Sequence, residues 1–153
     1  MPLKLLILIL PVMIFPISCS QRPAAQKNPV TPYVIKYSEG GGFTGLVRGY
    51  DIASSGEVVH WELTPGAEKR ILWKENADQS QIQGLREILR KSGIFDRSVD
   101  QRGNMTTVLG YESGGQSYSW SWPGSGPAAQ VPEELREFIP ELLSFCHNLK
   151  NDS

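Results

Sequence analysis

The chain has 153 residues, with 15 basic and 16 acidic side chains and a formal net charge of −1. No basic patch stands out along the sequence, which argues against a nucleic-acid partner. Beyond an N-terminal export segment about 120 residues remain, enough for one domain that buries roughly two-thirds of its unfolded surface.

Residues 1–18 have the features of a signal peptide. One cation, Lys4, precedes an apolar run. The run is about 13 residues long, whereas a membrane-spanning helix needs roughly 20. Pro11 and Pro16 would also interrupt a spanning helix. The segment therefore predicts export rather than a transmembrane anchor.

Cys19 is the candidate lipidation site. The small residue Ser18 before it makes the segment resemble a bacterial lipoprotein signal, in which this cysteine becomes the acylated first residue. The family pattern prefers Leu at the position of Pro16, and an ordinary signal peptide cut beside Ser18 or Ser20 is the alternative. Acyl chains on Cys19 would bind the membrane at about 0.8 kcal/mol per buried methylene. Because Ser20 rather than Asp follows the cysteine, the resemblance implies the outer membrane if the bacterium has two membranes.

A proline-rich tether follows the cysteine. It contains Pro23, Pro29 and Pro32, few apolar residues and no periodicity. The predicted organisation is a signal peptide at residues 1–18, a lipidated cysteine and tether at 19–32, and a folded domain at 33–150.

Residues 33–52 predict a β-hairpin on which the later elements pack. Side chains alternate in character over residues 33–38, and three glycines then allow a tight reversal. The second arm is expected to begin at Phe43, and Gly49 within it indicates a bulge or a close approach of another backbone. A purely structural hairpin is one interpretation, and a loop that enters a partner's groove is the other. A phosphate cradle is disfavoured because no Lys-Ser/Thr and no helix start follow the glycines. The candidate partner-contact loop comprises Glu39, Gly40, Gly41, Gly42, Phe43, Thr44 and Gly45.

Two more strands are predicted at residues 57–63 and 69–74. In the first of them Val59, Trp61 and Leu63 share one face, the pattern of a half-buried antiparallel strand.

A helix is predicted next, capped at its start by Asp78 or Ser80 and ended by Gly93. Its apolar stripe should face the core, while Arg86 and Arg90 should face outward.

A second hairpin is predicted at residues 105–122, with its turn at 113–115. In its last arm aromatic residues alternate with serines, so that one face is aromatic and the other is hydroxyl. We expect the aromatic face to cover the core. An exposed platform for sugar rings or a peptide is the alternative. The candidate aromatic face consists of Tyr118, Trp120 and Trp122.

The last predicted element is a helix that begins at Pro132 and is either kinked by Pro140 or started again after it. Cys146 lies on its apolar stripe and is interpreted as a small buried hydrophobe, with a reactive thiol as the alternative. If Cys19 is not lipidated, a Cys19–Cys146 disulfide becomes possible. The predicted fold is α+β: a single small domain with an antiparallel sheet of about six strands and two helices packed on one face.

The residues Gly41, Gly42, Phe43, Thr44 and Gly45 at a hairpin turn, followed by a helix, a second hairpin and a C-terminal helix, resemble the emfourin family. Emfourins are small bacterial inhibitors of thermolysin-like metalloproteases. The likeness in element order spans residues 33–149, and the chain departs from the family in its lipoprotein-type signal, its tether and the extra Gly40. The resemblance implies a secreted or periplasmic metalloprotease as partner, and an anchor would confine inhibition to proteases that meet the cell envelope.

Catalysis is not predicted. The chain has two histidines, His60 and His147, and neither His-x-x-x-His nor Cys-x-x-Cys occurs. No Gly-x-Ser-x-Gly elbow is present. We therefore expect no metal and no cofactor, and we interpret His60 as a surface or sheet-edge residue. The predicted function is that of a non-catalytic, lipid-anchored envelope protein that binds a partner. A metalloprotease inhibitor is the alternative, and an enzyme of unknown type is the outside alternative.

Overall fold

The computed structural model describes residues 31–151, and the chain from Thr31 onward forms one compact unit. The predicted signal peptide, Cys19 and the tether as far as residue 30 lie outside the described residues.

Six antiparallel strands form one sheet in the order β4-β3-β2-β1-β5-β6. The first four strands follow one another as a meander, and β5 then pairs with the free side of β1. The central strand β1 is therefore hydrogen-bonded on both sides along its length. The strands are β1 (Tyr33–Gly41), β2 (Leu46–Ala53), β3 (Glu57–Leu63), β4 (Arg70–Asn76), β5 (Met105–Ser113) and β6 (Gln116–Pro123).

Residues 31–151 also contain two α-helices, α1 (Gln79–Lys91) and α2 (Phe138–Asn151). Asp78 caps α1 by accepting a hydrogen bond of 2.7 Å from the backbone N–H of Ser80. Gly93 follows α1 with a left-handed φ of 81°, as predicted for its end. Residues 133–135 form a separate 3-10 turn, and Pro140 lies in the first turn of α2, where its missing N–H costs no helix hydrogen bond.

The core lies between the helices and one face of the sheet. Paired residues of antiparallel strands point to the same side, so the register places Ile35, Ile52, Val58 and Leu109 on one face. These side chains and the buried residues of both helices form one hydrophobic cluster. The α+β fold with helices on a single face of a six-stranded sheet is confirmed.

The register of β3 places its more apolar side on the open face of the sheet. Val58 is buried on the helix side, whereas Trp61 lies on the opposite, open face. Trp61 packs over Gly49, where a Cβ atom would stand 2.7 Å from the indole ring, and its Nε1 donates to Asp51 at 3.0 Å. Lys69 covers the ring at 4.2 Å. The close approach predicted at Gly49 is thus confirmed, and the approaching group is an indole as well as backbone.

The first hairpin turns later than expected. Strand β1 continues to Gly41 and β2 begins at Leu46, so that Phe43 belongs to the turn and not to the second arm. The reversal depends on left-handed backbone conformations at Gly42 (φ 67°) and Gly45 (φ 61°).

Candidate functional site

Residues 39–45 comprise the end of β1 and the turn that follows it, and are called the hairpin tip from here on. Phe43 is fully exposed, and Thr44 beside it is also exposed. Gly40, in contrast, is buried at the base of the loop. The loop therefore carries a large apolar ring into solvent on a partly buried backbone, an unusual placement for phenylalanine in a folded domain.

Backbone hydrogen bonds fasten the hairpin tip. The N–H of Gly42 donates to the carbonyl of Asn104 at 2.7 Å, which ties the tip to the residue that precedes β5. The N–H of Gly45 donates to the carbonyl of Gly42 at 3.3 Å and closes the turn. The Thr44 hydroxyl accepts the N–H of Leu46 at 3.4 Å. These bonds hold the backbone on either side of Phe43.

The glycines of the tip also fit between two neighbouring segments. A Cβ at Gly41 would collide with the carbonyl oxygen of Asn104, and the φ of Gly41 is 117°. On the other side a Cβ at Gly45 would stand 2.6 Å from Cγ of Pro65, in the turn between β3 and β4. The tip is thus wedged between residue 104 and Pro65, and both sites need glycine for space as well as for conformation.

Glu39 connects the base of the tip to a third segment. Its carboxylate accepts hydrogen bonds from the Tyr37 hydroxyl at 2.5 Å and from the N–H of Gly126 at 2.8 Å. Burial, and then the hydrogen bond to Glu39, raise the pKa of Tyr37, so this phenol stays protonated and remains a donor.

A groove of about 400 Å³ runs beside the tip. Phe43 and Leu46 supply apolar surface to it, and Met105 and Arg48 lie along it. The Nε of Arg48 donates to Glu62 at 3.0 Å. The hydrogen bond from Arg70, and then the one from Arg48, hold the pKa of the Glu62 carboxyl below its usual range. A partner surface that carries both apolar and charged groups can therefore pack against this groove.

The aromatic face of β6 lies inside the protein. Trp120 and Trp122 are 2% and 1% exposed, and Tyr118 is half-buried. The indole Nε1 of Trp120 donates to the carbonyl of Arg97 at 3.2 Å. Phe95 meets the Trp120 ring edge-on, with ring centroids 5.2 Å apart. The two tryptophans cover the core, so the alternative of an exposed aromatic platform is wrong for them.

Cys146 is 1% exposed on the inner side of α2. Burial raises the pKa of its thiol to about 12, so it is a neutral, inaccessible group at physiological pH. Its interpretation as a small buried hydrophobe is confirmed, and the alternative of a reactive thiol is not supported by this environment.

His60 is half-buried on β3, one strand in from the edge strand β4, contrary to the expectation of a surface or sheet-edge residue. It points to the helix side of β3, where its ring stacks on Tyr50 at 4.5 Å and lies 5.4 Å from Trp73. Burial, and then the cations Lys150 and Arg48, lower its pKa. Its Nδ1 is buried without a hydrogen-bond partner among the described residues. The expectation was wrong because the more apolar side of β3, with Val59, Trp61 and Leu63, lies on the open face of the sheet. His60, on the other side of the strand, therefore faces the helices.

Within residues 31–151, no group of three or more His, Cys, Asp or Glu side chains is arranged to hold a metal ion. The same residues contain no helix with the length and apolar character needed to cross a membrane.

The chain matches no protein-family model, and no curated protein matches its sequence at a significant level. Its function is therefore inferred from the hairpin tip and the segments that hold it.

Proposed function

We propose that the protein is a non-catalytic binding protein of the cell envelope, anchored through Cys19, which contacts its partner with the hairpin tip. The observation that supports this proposal is a fully exposed Phe43 on a backbone fastened to Asn104 and packed against Pro65. Moving a Phe side chain from water into a partner's pocket contributes roughly 1.5–3 kcal/mol. Because the loop is already ordered, little of this gain is lost to ordering it on binding.

The direction of β1 supports a role at the end of a tether. Tyr33 begins the strand and Gly41 ends it at the hairpin tip. Eight residue steps in a strand span about 26 Å. The described chain thus enters the domain at the end of β1 opposite the tip.

The second candidate is inhibition of a thermolysin-like metalloprotease. It is favoured by the placement of the residues that carry the emfourin resemblance, because Gly41, Gly42, Phe43, Thr44 and Gly45 lie together at the hairpin tip, where Phe43 and Thr44 are exposed. A narrow, fastened loop with one large apolar side chain suits a concave cleft with an apolar pocket. Its fastening also opposes the extended conformation that cleavage of the loop would require.

Titration of the full chain against a thermolysin-like protease, with a peptide substrate, tests the inhibitor candidate. We expect near-stoichiometric inhibition that weakens at least about tenfold in Phe43→Ala, the change expected when a buried Phe anchor is lost. Ile71→Ala is the matched control, because Ile71 is another large exposed apolar residue but lies on the edge strand β4 and is not part of the tip. No inhibition by folded protein at large molar excess would contradict this candidate.

The broader proposal has a separate test. A photo-crosslinking amino acid is placed at position 43, and in a control protein at position 71, and both full chains are produced in the native bacterium. We expect a discrete crosslinked protein from position 43 that is absent from position 71. No crosslinked protein from position 43, or crosslinking from position 71 alone, would refute the tip as the contact surface.

A further inference from the structure

A pocket of about 260 Å³ lies between α1 and the turn that joins β5 to β6. Arg86 and Arg90 form its wall on the helix side, because residues four apart lie on one side of a helix. The rings of Phe95 and Tyr118 form its floor and meet edge-on, with centroids 5.0 Å apart. Two guanidinium groups thus stand above an aromatic surface.

Arg86 does not face outward as the helical pattern predicted. It is half-buried, and its Nε donates a hydrogen bond of 3.0 Å to the hydroxyl of Tyr111. Its guanidinium carbon lies 4.5 Å from the ring centroid of Tyr33, the geometry of a cation–π contact. These two contacts fix the guanidinium group at the pocket and leave its Nη groups free to donate.

Neither arginine has a carboxylate partner within residues 31–151, since the ion pairs of that part of the chain involve other cations. Glu87, the adjacent acidic residue on α1, accepts a hydrogen bond from Gln83. Glu112 is engaged by Lys36 at 2.6 Å on the open face of the sheet. The positive charge at the pocket is therefore not neutralised by a carboxylate contact.

We propose that this pocket binds a phosphate group carried on a small organic or lipid body. The Nη groups of Arg86, the whole guanidinium of Arg90 and the Ser113 hydroxyl offer more donors than the two oxygens of a carboxylate can use. The amide of Gln116 adds further N–H donors, since its Oε1 accepts from Tyr118. Guanidinium groups match phosphate oxygens in pairs, and the aromatic floor suits the body of the ester.

Two classes of compound carry such a phosphate group, soluble phosphate esters and phospholipids. The pocket lies at the end of the sheet where the chain enters, because Ser113 on its rim pairs with Tyr33. Neither the hairpin tip nor the identity of its partner enters into this proposal.

The test uses the full chain and NMR of the arginine Nε–H groups and of the Trp120 Nε1–H as phenyl phosphate is added. Benzyl alcohol serves as the uncharged probe. We expect phenyl phosphate alone to shift these signals, and Arg90→Gln to weaken its binding at least about tenfold. Arg90 is chosen because it is exposed and takes part in none of the ion pairs found within residues 31–151. Arg136→Gln removes the same charge at an exposed position near the start of α2 and should leave affinity within about twofold.

The proposal is overturned if millimolar phenyl phosphate shifts none of these signals. Equal weakening by Arg90→Gln and Arg136→Gln would also overturn it, since general charge attraction would then explain the binding. Dihexanoyl phosphatidic acid provides the lipid arm. Tighter binding of this lipid than of phenyl phosphate assigns the site to a headgroup, and equal binding assigns it to a soluble ester.

Discussion

The fastening of the hairpin tip predicts a large cost for the substitution Gly41→Ala. At this site φ is 117°, and the new Cβ would meet the carbonyl oxygen of Asn104. A left-handed backbone costs a non-glycine residue roughly 1–2 kcal/mol. Displacing Asn104 also breaks the hydrogen bond from Gly42, worth about 0.5–1.5 kcal/mol. We therefore expect Gly41→Ala to lower the free energy of unfolding by about 1.5–3.5 kcal/mol.

Two other glycines separate these causes. Gly66 has a φ of 77°, and no atom lies within 4 Å of the place that a Cβ would take, so Gly66→Ala should cost only the conformational part, about 1 kcal/mol. Gly84 lies inside α1, also with open space around it, so Gly84→Ala should raise stability by about 0.5–1 kcal/mol. Urea unfolding of the three variants and the parent, compared at a common slope, gives all three differences.

The order of the three variants in free energy of unfolding tests whether Asn104 fastens the hairpin tip. If Gly41→Ala costs no more than Gly66→Ala, the carbonyl of Asn104 does not fasten the tip, and the preorganised loop that supports the proposed function is refuted. A change in slope for Gly41→Ala alone would instead show that the substitution alters the surface exposed on unfolding.

Further predictions concern three other side chains. Phe43→Ala should change the free energy of unfolding by less than about 0.5 kcal/mol, because the ring is fully exposed, and urea midpoints measure this. Cys146 should react with a thiol reagent only as fast as the protein opens, since its pKa is about 12 and it is buried, and fast labelling of native protein would contradict this. The pKa of His60 is lowered in the folded state, so the unfolded chain binds its proton more tightly. Stability should therefore fall as the pH drops below 6.5 towards the folded pKa, and His60→Phe should flatten that part of the profile. An unchanged profile would exclude His60 as the cause.

Periodicity predicted the strands and helices but could not decide which side of β3 faces the helices. Val59, Trp61 and Leu63 are more apolar than Val58, His60 and Glu62, yet they occupy the open face. The reason is a set of cross-strand contacts. Gly49 on β2 leaves room for the Trp61 ring, and Asp51 accepts its N–H. Alternation has a period of two whichever face is buried, so only the neighbouring strand resolves the choice.

At the candidate sites, too, residues close in sequence predicted the position of a feature, whereas contacts with residues distant in sequence determine its conformation. The run of glycines located the hairpin tip, but the conformation at Phe43 depends on Asn104 and Pro65, which are distant in sequence. Helical spacing placed Arg86 outside the apolar stripe, and its contacts with Tyr111 on β5 and Tyr33 on β1 draw its side chain inward. An arginine pair four residues apart beside an aromatic hairpin was the available signal, and the sequence did not show that these elements meet.

The hairpin tip and the arginine pocket lie at opposite ends of one paired strand, and this arrangement bears on how they act. Strand β1 is hydrogen-bonded to β2 and β5 throughout, which leaves it little freedom to transmit a shift from Tyr33 to Gly41. Effects of changes at distant, independent sites are generally additive. We therefore expect Arg90→Gln to leave crosslinking from position 43 unchanged, and Phe43→Ala to leave phenyl phosphate binding unchanged. Binding at the hairpin tip and binding at the arginine pocket should therefore proceed without either contact depending on the other.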